Sequence, residues 1–258
     1  MDEYRMMTAF GLLGGSPDTF SLTIHCCAYK KIETENDSEI QEMLIEGKWF
    51  ITFQCENRNH YDDLWNALAK IPRNSVILVS AVLNEGGFEQ AKFIKVLTPL
   101  QDEIAFFEKY NVPVIVTDPK TGVAFTLNKQ FDCYEGNIRY NGVDINITLE
   151  DIIRDMKVLH FLIKDFHNFV ANACIFAAKK LNKLAIDWSD ADDESGRNYD
   201  ENPITEDEFA RRIKLQSITT GYIDGDYTLW FDDDNLFLGH GVSVSGNIET
   251  GFVDSRME

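Results

Sequence analysis

The spacing of apolar and polar positions divides the chain into strands and helices. Residues 19–32 alternate and are rich in β-formers, which predicts a strand. A second strand, Lys48–Cys55, follows Gly47. Tyr61, Leu64, Trp65 and Leu68 fall at helical spacing, so Tyr61–Lys70 is expected as an amphipathic helix with Pro72 just past its end. Ser75–Leu83 is a continuous apolar run, the pattern of a buried strand, and Ala91–Leu97 is placed to pair with it across the Asn84–Gly87 turn. Gln101–Tyr110 reads as a short helix and Val112–Val116 as a short strand. Together these predict a small β-rich N-terminal domain with short helices over residues 1–117, shaped as a partly open barrel.

The turn Pro119–Gly122 marks the expected domain boundary. Beyond it, Val123–Leu127, Cys133–Tyr140 and Val143–Leu149 form a three-stranded meander, with Asn141-Gly142 as a strong hairpin signal between the last two. From Leu149 to Leu184 apolar residues recur every three or four positions, among them Ile152, Met156, Leu159, Ile163, Phe166 and Val170. That period predicts one long helix. Thr205-Glu-Asp-Glu208 fits a capping box opening a short helix through Arg212. Three more strands follow, Ile213–Thr220, Tyr227–Phe231 and Gly241–Ser245. Residues 118–258 are thus expected to be an α+β domain, a six-stranded, mostly antiparallel sheet packed on one long helix.

Charge changes this picture by locating it. The 258 residues carry 43 acids against 24 bases, a net charge of −19, yet 44% are hydrophobic, enough to build a core. Such a chain repels phosphate, so neither nucleic acid nor an anionic membrane is expected as a direct partner. Within residues 187–208 there are ten acids and one base, Arg197. The first part of that segment is poor in apolar residues and reads as a mobile loop. The acidic start and the short apolar stretch Phe10–Leu13 do not make a signal peptide, and no run approaches the roughly 20 residues of a membrane span. Five cysteines, none in CxxC spacing, read as reduced thiols of a cytoplasmic protein. No cofactor and no metal site are expected.

Two blocks carry a family resemblance. One is Gly122–Gly136 with Val143–Leu149. The other joins Ile204–Phe209, Ile213–Ile218 and Tyr227–Gly246, the last with its acidic turn, Leu236-Phe-Leu-Gly-His240 and closing Ser245-Gly246. On these residues the second half resembles an uncharacterised bacterial family, the domain of unknown function number 2262, over about residues 118–252. The resemblance implies an accessory bacterial protein. Related acidic α+β domains look like immunity proteins that neutralise toxins. No catalytic residues come with it.

The sharpest local chemistry is Asp232, Asp233, Asp234 and His240. Three consecutive carboxylates repel one another unless a cation or basic partner compensates them. A solvated turn, a partner-binding surface and a metal site are the competing readings. Trp188 borders the acidic loop with Asp190, Asp192, Asp193 and Glu194, where an aromatic can anchor a partner. Asp151 and Asp155 read as helix-start acids, and His160 and His167 as surface or core-edge residues. Neither His25 with Cys26 nor His60 with Cys55 has the orienting carboxylate of a catalytic pair. The expectation is a non-catalytic acidic protein-binding module, an immunity protein against a basic toxin or nuclease, contacting it through Trp188, Asp190, Asp192, Asp193, Glu194, Asp232–Asp234 and His240. The alternatives are a metal-assisted hydrolase built on Asp232–Asp234 and His240, and a phage or plasmid inhibitor that mimics DNA.

Overall fold

The computed structural model describes residues 1–35, 38–41, 43–85, 87–189 and 203–258. These form two compact units, Met1–Val112 and Pro113–Glu258. Both mix strands and helices, so the protein is α+β. Among the described residues no helix is long and apolar enough to cross a membrane.

The first unit contains β1 (Asp2–Thr8), β2 (Leu12–Ser16), β3 (Ser21–Glu35), β4 (Ser38–Gln41), β5 (Ile45–Gln54), α1 (Arg58–Leu68), β6 (Ser75–Asn84), β7 (Gly87–Leu97) and α2 (Gln101–Tyr110). Strand β1 pairs with both β3 and β6, so β1, β6, β7, β5 and β3 close into a ring, with β2 and β4 attached to β3. The closing pair is a single parallel register, Phe53 opposite Ala91. Adjacent residues of a strand face opposite ways. Met6 and Cys26 therefore join one core with Leu22, Ile24, Phe53 and Val79. Met7 and Cys27 face a second core with Phe106 and Phe107 of α2. Buried Glu103 anchors α2 by accepting from Arg5 at 2.7 and 2.9 Å and from the Leu100 N–H at 2.7 Å.

The second unit contains β8 (Ile115–Thr117), β9 (Ala124–Asn128), β10 (Cys133–Tyr140), β11 (Val143–Leu149), α3 (Ile152–Ile163), α4 (Phe166–Ser189), α5 (Glu206–Arg212), β12 (Lys214–Thr220), β13 (Asp226–Asp232), β14 (Val242–Asn247) and β15 (Gly251–Met257). The strands lie side by side in chain order, β8 to β15. Every neighbouring pair is antiparallel except β11 and β12, which are parallel over Asn146–Thr148 and Ser217–Thr219. A parallel pair needs a crossover, and α3, α4 and α5 occupy it. On β13 the burial alternates cleanly, with Tyr227, Leu229 and Phe231 pointing into the core. Val170, Ala173, Ala177 and Leu181 of α4 meet them there.

Two expectations change. The sheet has eight strands among the described residues, not six. Strand β8 comes from the segment read as the last strand of the first domain. Strand β15 was hidden because Phe252 and Val253 are adjacent, which breaks the period of two. A bulge between Ser245 and Gly246 takes up the offset. The single long helix is instead two, α3 and α4, interrupted at Lys164-Asp165. Asp165 restarts the helix, its carboxylate taking the Asn168 amide at 2.8 Å and its carbonyl the Phe169 N–H at 2.9 Å. The apolar period runs on across the break, so the pattern alone does not reveal it. The Asn141-Gly142 hairpin forms as read, with φ of 48° and 82° and Tyr140 opposite Val143.

The Ser245-Gly246 pair has a steric reason. A Cβ on Gly246 would lie 2.5 Å from the Gly251 carbonyl oxygen and 2.5 Å from the Tyr227 hydroxyl. Gly246→Ala is therefore expected to lower the unfolding free energy by about 1–3 kcal/mol, the usual range for overpacking. Urea unfolding followed by circular dichroism measures it; an unchanged midpoint would mean that β15 yields freely.

Candidate protein-binding site at the acidic loop

Strand β13 ends at Asp232 and β14 begins at Val242, and the loop between them is built around one carboxylate. Asp233 is 4% exposed. One of its oxygens accepts the Asn235 N–H at 3.2 Å; the other accepts those of Phe237 at 2.6 Å and Gly239 at 3.3 Å. A buried charge is tolerated only with such donors. Wrapping the backbone so tightly puts Asp234, Asn235, Leu238 and Gly239 at positive φ. Aspartate, asparagine and glycine accept that region readily; leucine does so at a cost of about 1–2 kcal/mol. Leu238 is nevertheless held there at φ 56°, with half of its surface exposed.

The neighbouring acids point elsewhere. Asp232 is exposed and accepts the Asp234 N–H at 2.8 Å and the Gln216 amide at 3.1 Å. Asp234 pairs with Arg212 at 3.0 Å. Exposed His240 holds its Nδ1 3.0 Å from the Glu258 carbonyl oxygen. Half-buried Trp188, near the end of α4, sets its ring edge-on to His240 at 5.4 Å and to buried Phe237 at 6.2 Å.

Of the residues singled out on sequence, the fold thus brings Trp188 to His240 on the loop that carries Asp232 and Asp234. Asp233 is a correction: grouped with the surface acids, it lies inside the loop, because the three N–H groups that fix the turn need a buried acceptor. Asp190, Asp192, Asp193 and Glu194 lie outside the described residues. Leu238 was missed. The available signal was an apolar residue between Asn235 and Gly239 in an otherwise acidic turn.

Other candidates prove to be internal braces. Asp151 caps α3, accepting the N–H groups of Ile153 and Arg154 at 2.9 Å. Asp155 is buried and takes the Thr220 hydroxyl and the Arg154 guanidinium. Burial pushes the Cys26 thiol up and Cys27 to about 12, with the Cys26 Sγ donating to the Ala28 carbonyl. Neither ring nitrogen of His25 has a hydrogen-bond partner, so Cys26 and His25 do not form a nucleophile–base pair. Among the described residues no group of three or more histidine, cysteine and acidic side chains is arranged to hold a metal ion.

The geometry defines an α+β domain that presents a preorganised acidic and apolar loop at one end of its sheet. The chain belongs to the bacterial family described as "Uncharacterized protein conserved in bacteria (DUF2262)", whose model matches residues 120–257. No curated protein and no solved structure matches it.

One pairing that the spacing did not foretell is Asp118 with His160 of α3, at 3.0 Å. Burial alone raises the Asp118 pKa. The Thr121 hydroxyl at 2.6 Å, His160, and the N–H groups of Lys120 and Thr121 outweigh it and hold the carboxyl at about 2. The folded value lies below the ordinary 3.8, so the stabilisation is present above pH 4 and is lost as pH falls toward 2. Between pH 5 and 2 the native protein should lose about 2 kcal/mol more stability than Asp118→Asn, as read by urea titration at each pH. Parallel acid profiles would show that Asp118 is not held so low.

Proposed function

We propose that this protein is a non-catalytic, cytoplasmic protein-binding module of the immunity type, and that its acidic loop takes a basic protein such as a toxin or nuclease. The observation that carries the reading is the loop between β13 and β14. An exposed leucine is held there in a disfavoured conformation, next to a Trp188–His240 platform, the exposed carboxylate of Asp232 and the Asp234–Arg212 pair. Strain of that kind persists where the surroundings over-determine it, and it clusters at functional surfaces. Apolar anchors ringed by charge are what a protein partner needs: Leu238 and Trp188 to bury, carboxylates to steer a cationic face. The acids Asp190, Asp192, Asp193 and Glu194 lie within six residues of Trp188 in sequence. Five free cysteines favour a reducing compartment.

The test begins with a basic protein encoded beside this gene, purified and titrated against the full chain. Binding should weaken steeply with salt. Leu238→Ala and Trp188→Ala should each weaken it roughly tenfold, mainly through faster dissociation. Charge reversal at Asp232, Asp234, Asp192 and Asp193 should slow association. If all of these variants bind as the native protein does, the loop is not the interface. A rise in melting temperature with calcium, magnesium, manganese or zinc that Asp232→Asn abolishes would favour the metal-assisted hydrolase instead. Competition by duplex DNA for the same partner would favour the DNA mimic.

A further inference from the structure

A second site lies where the sheet changes direction. The parallel ladder between β11 and β12 begins only at Asn146 and Ser217. Val143–Ile145 and Lys214–Gln216 precede it on the two strands and have no pairing with each other. A bulge between Leu215 and Ser217 adds to the divergence. The strands part there like the jaws of a clamp, and the gap is a cavity of about 590 Å³, within the range of about 300–1,000 Å³ usual for small-molecule sites.

Its walls are mostly apolar and come from elements already fixed by the fold. From α4, Val170, Ala171, Cys174 and Ile175 face it at helical spacing; from the strands, Val143, Ile145, Ile213 and Leu215. Helix α5 covers one side with Asp207, Ala210 and Arg211. Two cations, Arg211 and Lys214, line the opening against one acid, Asp207. Both cations are exposed, and neither makes an ion pair among the described residues. Arg211 spends its Nε on the Asp207 carbonyl and Lys214 one donor on the Arg211 carbonyl, which leaves the other N–H groups of both free to turn inward. Burial pushes the Cys174 thiol on the cavity wall up to about 11, with the Lys214 charge acting against the rise. In a chain of net charge −19, this is an apolar cavity with two cations at its mouth that make no ion pair among the described residues.

We propose that this cavity binds an amphipathic organic anion, of the medium-chain carboxylate class, with its alkyl body between α4 and the parted strands and its head group on Arg211 and Lys214. The cavity shares no lining residue with the loop between β13 and β14 and stands whether or not that loop binds a protein.

Titration of the full chain with decanoate, followed by isothermal calorimetry, tests it, with decanol as the uncharged analogue. Decanoate should bind saturably and roughly tenfold or more tighter than decanol, the discrimination a charge-assisted contact supplies. The double variant Arg211→Glu/Lys214→Glu changes two exposed side chains. It should remove that preference and leave decanol binding unchanged. Ala171→Trp, at an exposed position on the rim, should abolish binding of both while keeping the native melting temperature. Absence of saturable decanoate binding, equal affinity for decanol, or native affinity in the double variant would each overturn the proposal.

Discussion

The second unit depends on a parallel ladder only three residues long. Among the described residues it is the one place where its sheet abandons antiparallel pairing, and it joins the meander β8–β11 to the meander β12–β15. Parallel strands cannot be linked by a tight turn, so the chain must leave the sheet and return. The return path supplies α3, α4 and α5, which cover the inner face of all the central strands. The same ladder, by stopping short, opens the cavity beneath α5. Core, crossover and cavity are thus three results of one change in strand direction.

Much of this was legible where local chemistry decides structure. Asn141-Gly142 demanded positive φ at two successive residues, and the hairpin forms there. Thr205 caps α5 by accepting the Glu208 N–H, as the capping signature implied. Illegible parts were those decided by tertiary packing. The apolar spacing does not distinguish a helix that stops at Ile163 and restarts at Phe166 from one that continues. Assignment of β8 to the second sheet depends on its partner, β9, and not on its own residues. At the candidate site, the cluster of three aspartates was visible, but their division of labour was not. Adjacent residues differ completely in role once one of them turns inward and collects three backbone donors.

That division also revises the meaning of the negative charge. Glu103, Asp118, Asp155 and Asp233 are all buried, and each is matched by donors within its own unit. They serve as acceptors that fix helix starts and turns, so they add nothing to the outward face. Asp232 and Asp234 are of the other kind, exposed on a loop whose shape a buried neighbour maintains. An acidic composition here therefore combines an internal scaffold of carboxylates with a separate external display.

The short parallel ladder also has a consequence in time. Ser217 is made about 70 residues after Asn146. At the usual synthesis rate of ~5–20 residues per second, the first meander waits roughly 4–14 s on the ribosome before its partner strand emerges. Throughout that interval β11 is an uncovered edge, with open backbone donors and acceptors and an apolar face. The helices made during the wait carry the apolar side chains that pack on that face in the finished unit. Chain order thus places α3 and α4, the permanent cover of the sheet, ahead of the strand that completes it.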